Sequence, residues 1–352
     1  MTRIEKIRSR LGELDALLLT DDISIRYASG FHITDGAALI TKKGAFFVTD
    51  SRYIEAAQSA VKDMDILCTS HEKNLRAILA ELIADAGNII GAEQTRLSHD
   101  AWLSMEESFG VTFRPAAEIL AELRASKDED EAEDMTAAQR IAEKALDEIL
   151  GVIRPGMTEK EVAAELVYRM YRHGGEANSF DPIVVTGAKT SLPHGVPGDK
   201  VIADGDFLTM DFGTMYNGYC SDMTRTVAVG HATQEMKDVY AIVLEAQLAG
   251  IAAAKPGVTG QAIDGAARKV IADAGYGQYF GHGFGHSLGL EIHEAPNANP
   301  TNDKPMPEGA AISAEPGIYI PGKFGVRIED VLWLHDGGAQ VITKAPKNLI
   351  VL

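Results

Sequence analysis

Asn217-Gly218 stands between two strand-like runs, Phe207–Phe212 and Tyr219–Val229. An Asn-Gly pair in that setting specifies a two-residue hairpin loop, because both positions tolerate positive φ. With those residues as the loop, Tyr216 faces Tyr219, Asp211 faces Thr224, and Asp222 lies two positions diagonal from Asp211. An even offset keeps both carboxylates on one face of the ribbon, within reach of a shared ion. The pattern recurs further on. Glu315 and Glu329 flank the turn candidate Pro321-Gly322-Lys323-Phe324-Gly325, and the midpoint between them, residue 322, falls inside it. Each carboxylate pair therefore rides its own hairpin, and two hairpins can face each other across a cleft. His286 comes from a separate glycine-rich segment, GFGHSLG.

Four carboxylates and one imidazole concentrate too much negative charge to gather without cations. A pair of divalent metals is the expected solution, and such a centre serves hydrolysis. Taken singly, these residues imply little: an Asp beside Gly is ordinarily a turn residue, and a glycine-flanked His is ordinarily satisfied by backbone. The inference rests on the joint pattern. Other motifs fail on spacing. His293-Glu294 lacks the second His of a zinc-binding HExxH helix, Gly281, Gly283 and Gly285 do not complete GxGxxG, and no GxxxxGK[ST] exists. Asp211-Phe212-Gly213 has no HRD-type loop before it, and there is no GxSxG.

The 352 residues suffice for two domains, and a 45% hydrophobic content supports a sizeable core. A net charge of −18 argues against nucleic acid or an anionic membrane surface as the main partner. No apolar run approaches a membrane span. The N-terminal segment has no signal-peptide pattern. Cys68 and Cys220 are too few for a disulfide framework, and Cys220 reads as a small buried filler. A reduced, cytoplasmic setting is the expectation.

Residues 1–125 read as an α/β unit of their own. Ile4, Ile7 and Leu11 have helical spacing, Ala16–Thr20 reads as a strand, and Ala38–Thr41 with Ala45–Val48 as a hairpin. Leu75–Ala84 and Ser98–Glu107 read as helices and Asn88–Gly91 as a short strand. The acidic run from Ser126 to Asp134 marks a boundary and reads as a solvated helix start. A long helix follows, with Ile141, Ala145, Ile149 and Leu150 near one face, stopped by Pro155-Gly156. Thr158–Glu161 forms a capping box for a helix to about His173. Beyond Phe180, strands (Ile183–Thr186 and the first hairpin) precede the helices Gln234–Ala253 and Gly260–Ala274. Strands return at Ala311–Ile320, Val326–Leu334 and Gln340–Thr343. This order predicts two similar α/β halves within residues 126–352.

SFDPIVVTGAKTSLPHGVPGD, MDFGTMYNGYCSDMTRTVAVG, FGHGFGHSLGLEIHEAP and AEPGIYIPGKFGVRIED, in this order, resemble the pita-bread metallopeptidases, within them the Xaa-Pro aminopeptidase (aminopeptidase P) and prolidase branch. The resemblance implies a mixed α/β (α+β) chain with a creatinase-like N-terminal domain, echoed by Ile25-Arg26-Tyr27 and Gly30-Phe31, before a pita-bread catalytic domain. Carried over by position, it implies two divalent ions held by Asp211, Asp222, His286, Glu315 and Glu329, with Glu315 also the general base. Manganese suits the oxygen-rich ligands best, with cobalt, zinc or iron as alternatives. His194, His282 and His293 match histidines that position substrate and stabilise the reacting carbonyl, and Arg327 matches a position near the site. The implied partners are proline-containing peptides and a second copy of the chain.

Two departures stand out. Many relatives read GPNSALPHG where this chain has Gly187-Ala188-Lys189-Thr190-Ser191-Leu192-Pro193-His194-Gly195. Prolidase-like members often place Arg after HExP, where this chain has Asn297. The second departure tilts the reading toward an aminopeptidase, with an Xaa-Pro dipeptidase as the alternative. A noncatalytic pita-bread interaction module is the alternative from another class, but such modules have lost ligands that this chain retains.

Overall fold

The structure, a computed structural model, describes all 352 residues. They form two compact units, Met1–Arg124 and Ala125–Leu352. No helix is long and apolar enough to cross a membrane.

In the N-terminal unit the chain runs α1 (Arg3–Ser9), β1 (Ala16–Leu19), α2 (Asp22–Ser29), β2 (Gly36–Thr41), β3 (Ala45–Thr49), α3 (Ile54–Ala60), β4 (Asp65–Cys68), α4 (Leu75–Ala86), β5 (Ile89–Ala92), α5 (His99–Phe109), β6 (Thr112–Pro115) and α6 (Ala117–Ala125). The strands form one sheet in the order β4-β3-β2-β1-β5-β6. Every residue of central β1 is buried, which is why Ala-Leu-Leu-Leu reads as an unbroken apolar run. The hairpin, the helices α4 and α5 and the strand β5 match the sequence expectations closely. Missing from them are α2, α3, α6 and the outer strands β4 and β6. The strands are four residues each and partly exposed, too short and too polar to show a period.

Glu93 follows β5 and is buried. Its Oε1 accepts a 2.7 Å bond from Ser24 Oγ, and its Oε2 has no hydrogen-bond partner. Burial, helped by the charge of Asp21, pushes its pKa up to about 7, against the opposing pull of Arg96 and Arg124. A carboxyl whose folded pKa is raised contributes stability below its unfolded pKa and loses it as pH rises through the folded value. From the ordinary 4.5 to about 7, the loss is roughly 3 kcal/mol at 1.36 kcal/mol per unit. Hydrogen exchange of the β5 amides is therefore expected to show this unit less stable at pH 8 than at pH 5. Glu93→Gln is expected to flatten that dependence. An unchanged pH profile in the variant would sink the assignment.

The second unit continues with α7 (Glu129–Leu150), α8 (Glu159–Arg172), β7 (Ile183–Thr186), β8 (Phe207–Phe212), β9 (Met215–Tyr216), β10 (Tyr219–Cys220), β11 (Met223–Ala228), α9 (Gln234–Ala253), α10 (Gly260–Asp273), β12 (Gly285–Ser287), β13 (Glu294–Ala298), β14 (Ala311–Ala314), β15 (Gly317–Ile320), β16 (Phe324–Arg327), β17 (Asp330–His335) and β18 (Gly338–Val341). Asp128 caps α7 in a reciprocal box with Glu131, and Thr158 caps α8 with Glu161. The sequence reads the acidic start of α7 as solvated, and the structure corrects this at Glu131, which is buried and accepts a 2.7 Å bond from Tyr219 Oη. α7 also ends earlier than Pro155, at Leu150 with Gly151 as its C-cap.

The two expected halves are present. The sheet β11-β8-β7 packs through Leu208 and Met210 on Ile141, Leu146 and Leu166 of α7 and α8. The sheet β13-β12-β14-β17-β18 shares a core with Val243 and Ile263 of α9 and α10. The register of the first hairpin is the one read from the sequence: Tyr216 opposite Tyr219 and Asp211 opposite Thr224. Asn217 and Gly218 have φ of 47° and 79°, as the loop requires. In the second, Ile320 pairs with Phe324 and Gly317 with Arg327, and the same register resumes at Ala314 and Asp330. Glu315 thus faces Glu329.

Three strands read as continuous are broken. Tyr219–Val229 is interrupted at Ser221-Asp222, Ala311–Ile320 at Glu315-Pro316, and Val326–Leu334 at Ile328-Glu329. A candidate ligand sits at each gap.

Candidate active site

At these gaps the backbone amides turn to other elements. The Glu315 N–H donates to Phe284 O (2.8 Å) and the Glu329 N–H to Thr224 O (3.2 Å). The Asp222 N–H points to Gln139 Oε1 of α7 at 3.4 Å. A ladder open at the ligand positions satisfies each donor across the site. These bonds join the second hairpin to the segment before β12 and to the first hairpin, and hold the carboxylates face to face.

All nine residues singled out from the sequence line one cleft of about 570 Å3. Ligand atoms of Asp222, His286 and Glu329 all lie within 4.8 Å of one another. His286 lies on the short strand β12 rather than in a loop. Its Nε2 is 3.5 Å from both Asp222 Oδ2 and Glu315 Oε1. Its Nδ1 sits 3.2 Å from Ser287 O, which fixes the proton there and turns the Nε2 lone pair toward the carboxylates.

The charge balance fits a metal centre. Oδ1 of Asp211 and Oδ1 of Asp222 are buried without hydrogen-bond partners. Burial, then the charges of Asp211 and Glu315, hold Asp222 well above the usual carboxylate range. Burial, then Asp222 and Glu315, does the same to Glu329. Burial also raises Glu315, against His282 and Arg327. Burial lowers the pKa of His282, His286 and His293, favouring the neutral rings that ligate metals or donate a single N–H. Clustered anions without enough cations, orphaned oxygens and a lone pair aimed among them form a donor set that divalent ions complete.

Arg327 supplies the one built-in cation. Its Nη2 donates to Asp211 Oδ2 (2.5 Å), its Nε to Thr224 Oγ1 (3.0 Å) and its Nη1 to Tyr319 Oη (2.8 Å) and Pro193 O (3.3 Å). Thr224 Oγ1 in turn donates to Glu329 Oε2 (2.6 Å). Burial opposes the guanidinium charge, but Tyr319, Asp211, Glu315 and Glu329 more than offset it and keep it protonated. Tyr319 Oη continues to His282 Nε2 (2.9 Å), whose Nδ1 bonds Gly283 O (2.8 Å). Both nitrogens of His282 are therefore engaged, and the neutral ring has no free N–H. His293 is exposed to the cleft, its ring 4.5 Å from that of His286. His194 is also exposed, on the loop after β7.

Several supporting residues escaped the sequence reading. Thr224, Tyr319, Ser313 (whose Oγ is 3.0 Å from Glu315 Oε1) and Gln139 belong to common residue types with no motif of their own. Only Thr224 carried a signal, by facing Asp211 in the hairpin register. Arg225 is also fully buried and donates to the carbonyl of Glu329 (2.6 Å) and to Asp330 Oδ1 (2.8 Å). Cys220 is buried, and burial pushes its thiol up to about 12, so it is inert at neutral pH. Cys68 is exposed.

The fold and this centre define a metal-dependent hydrolase. Residues 133–336 match the model of metallopeptidase family M24, and residues 3–126 that of the creatinase/prolidase N-terminal domain. The chain belongs to metallopeptidase family M24 and is a peptidase. An uncharacterised peptidase of Bacillus subtilis is 40% identical over 99% of this chain and 100% of its own. The structure of an Xaa-Pro dipeptidase from Bacillus anthracis is similar at 43% identity and a TM-score of 0.95, covering 99% of each chain. That of an X-Pro aminopeptidase from Thermotoga maritima is similar at 38% identity and a TM-score of 0.94, covering 98% of this chain and 99% of that one. The noncatalytic alternative finds no support among them.

Proposed function

We propose that this protein is an Xaa-Pro aminopeptidase, releasing the first residue of peptides whose second residue is proline. One observation favours this over a dipeptidase. A free Xaa-Pro dipeptide places its carboxylate inside the cleft, where it needs a cation. The only guanidinium or ammonium lining the cleft belongs to Arg327, which Asp211, Thr224, Tyr319 and Pro193 already engage. Asn297 lines the cleft at the position where prolidase-like members often carry Arg. A longer peptide has an amide there and needs no such partner.

In this reading Asp211, Asp222, His286, Glu315 and Glu329 hold two divalent ions, with manganese favoured by the oxygen ligands. Bound there, the ions supply Lewis-acid polarisation of the scissile carbonyl and a water nucleophile at neutral pH. Glu315, held at Oε1 by Ser313, takes the proton of the attacking water and passes it to the leaving prolyl nitrogen. His293 and His194 donate to the carbonyl oxygen as its charge develops. His282, expected from the resemblance to act on the substrate, has both ring nitrogens engaged and instead holds Tyr319 against Arg327. Residues 1–125 form the creatinase-like domain and residues 126–352 the catalytic domain of a cytoplasmic homodimer.

The test compares Xaa-Pro-Xaa tripeptides with Xaa-Pro dipeptides in the presence of manganese. Tripeptides are expected to be cleaved with the higher kcat/KM. Asn297→Arg is expected to raise the dipeptide-to-tripeptide ratio about tenfold or more, the worth of one charge-assisted hydrogen bond. Cleavage confined to dipeptides by the unaltered protein would overturn the reading.

A further inference from the structure

His194 sits on a stretch with no helix or strand of its own. Leu192–Gly198 leaves a single turn of 3-10 helix, Gly187–Ser191, and runs along the cleft. Within the stretch the backbone makes two local bonds, Leu192 N–H to Lys189 O and Gly195 N–H to Leu192 O, and beyond these Pro193 O accepts one 3.3 Å bond from Arg327 Nη1. Val196 at its tip is 76% exposed. A segment this sparsely bonded does not hold a catalytic side chain in one place by itself.

Its anchor is an ion pair beneath it. Glu159, the first residue of α8, is fully buried. Its Oε1 accepts from the Thr186 N–H (2.9 Å) on one side of the loop, and its Oε2 from the Gly198 N–H (2.9 Å) on the other. Lys189 Nζ reaches Glu159 Oε2 at 2.6 Å and also donates to Val196 O at 2.7 Å. One ammonium thus ties the tip of the loop to a buried carboxylate that already clasps both its ends. Lys189 is the charged one among the four residues, Ala188 to Ser191, that depart from the GPNSALPHG pattern, and the mechanism above gives it no part.

We propose that Lys189 is a positioning residue, which through Glu159 and Val196 fixes the loop so that His194 is presented to the cleft. This rests on the role proposed for His194, and the test separates the two. Lys189→Met is expected to speed amide hydrogen exchange across residues 192–198 at least tenfold, with α7 and β8 unchanged. It is also expected to lower kcat about tenfold with KM changed less than threefold. Lys189→Arg, which keeps the charge and reaches both acceptors, is expected to restore most of both. In a His194→Ala background the same substitution is expected to have no further effect on kcat. Should Lys189→Met fail to fold because Glu159 is left unpaired, Glu159→Gln/Lys189→Met removes the buried charge and serves in its place.

Unchanged exchange in the loop overturns the proposal, as does an equal fall in kcat with or without His194. If the unaltered protein cleaves no peptide, the proposed function fails while the exchange measurement still decides whether Lys189 holds the loop.

Discussion

Glu329→Gln is expected to cripple peptide cleavage and yet raise the melting temperature of the metal-free protein. Glu329 is buried among Asp222, Glu315 and Asp211, and only Arg327 offsets their charge. Like charges in low dielectric repel strongly, so a neutral isostere relieves the metal-free fold by about 1–2 kcal/mol. That corresponds to roughly 2–6 °C for a domain of this size. Glutamine can still accept from Thr224 Oγ1, so the packing survives. The metal-loaded protein behaves oppositely. The variant offers one fewer anionic donor, binds less manganese and gains less stability from it. Activity is expected to fall about a thousandfold, the scale of losing a main electrostatic contributor to the transition state. Calorimetry with and without manganese, metal analysis and a tripeptide assay check the three arms. A metal-free melting temperature that drops would show that the carboxylates do not repel as described.

Arg327→Met is expected to do the reverse to the metal-free protein. It strips Asp211 of its only cationic partner and leaves Thr224 Oγ1, Tyr319 Oη and Pro193 O without their donor. Breaking one side of a buried pair costs about 3–5 kcal/mol, or roughly 10 °C here. Lysine is expected to recover little, because an ammonium cannot reach these four acceptors from one fork. Excess manganese is expected to restore part of the loss in Arg327→Met, since added cations neutralise Asp211. A melting temperature within about 2 °C of the unaltered protein, metal-free, would rule out the clamp.

The two substitutions exploit the same crowding from opposite sides, and the sequence disclosed only one of those sides. The carboxylates announced themselves through hairpin arithmetic, since Asn217-Gly218 places Asp211 and Asp222 diagonally on one face and the 321–325 turn centres Glu315 and Glu329. The clamp did not. Arg327 was visible as a position near the site, but its partners Asp211, Thr224, Tyr319 and Pro193 lie 116, 103, 8 and 134 residues away in sequence. No local period records such distances.

Strand continuity shows the same limit. Tyr219–Val229 and Ala311–Ile320 are read as unbroken because alternation persists through Asp222 and Glu315. The breaks occur because the amides of Asp222, Glu315 and Glu329 find partners on Gln139, Phe284 and Thr224 instead. β12 and β13 were also missed. At three and five residues they form where an edge is open, β12 on β14 and β13 on β12, rather than where propensity favours strand.

By itself the sequence determined the hairpin registers, the helix caps and the inventory of candidate ligands. Each depends on neighbours within a few residues, and turn and cap chemistry are local. The tertiary structure alone decided that nine residues spread from His194 to Glu329 line one cleft, that Arg327 is spoken for, and that His282 has no N–H to spare. Those are questions of which buried group finds which partner. Burial, by making an unpaired polar atom costly, forces an answer that only the assembled fold contains.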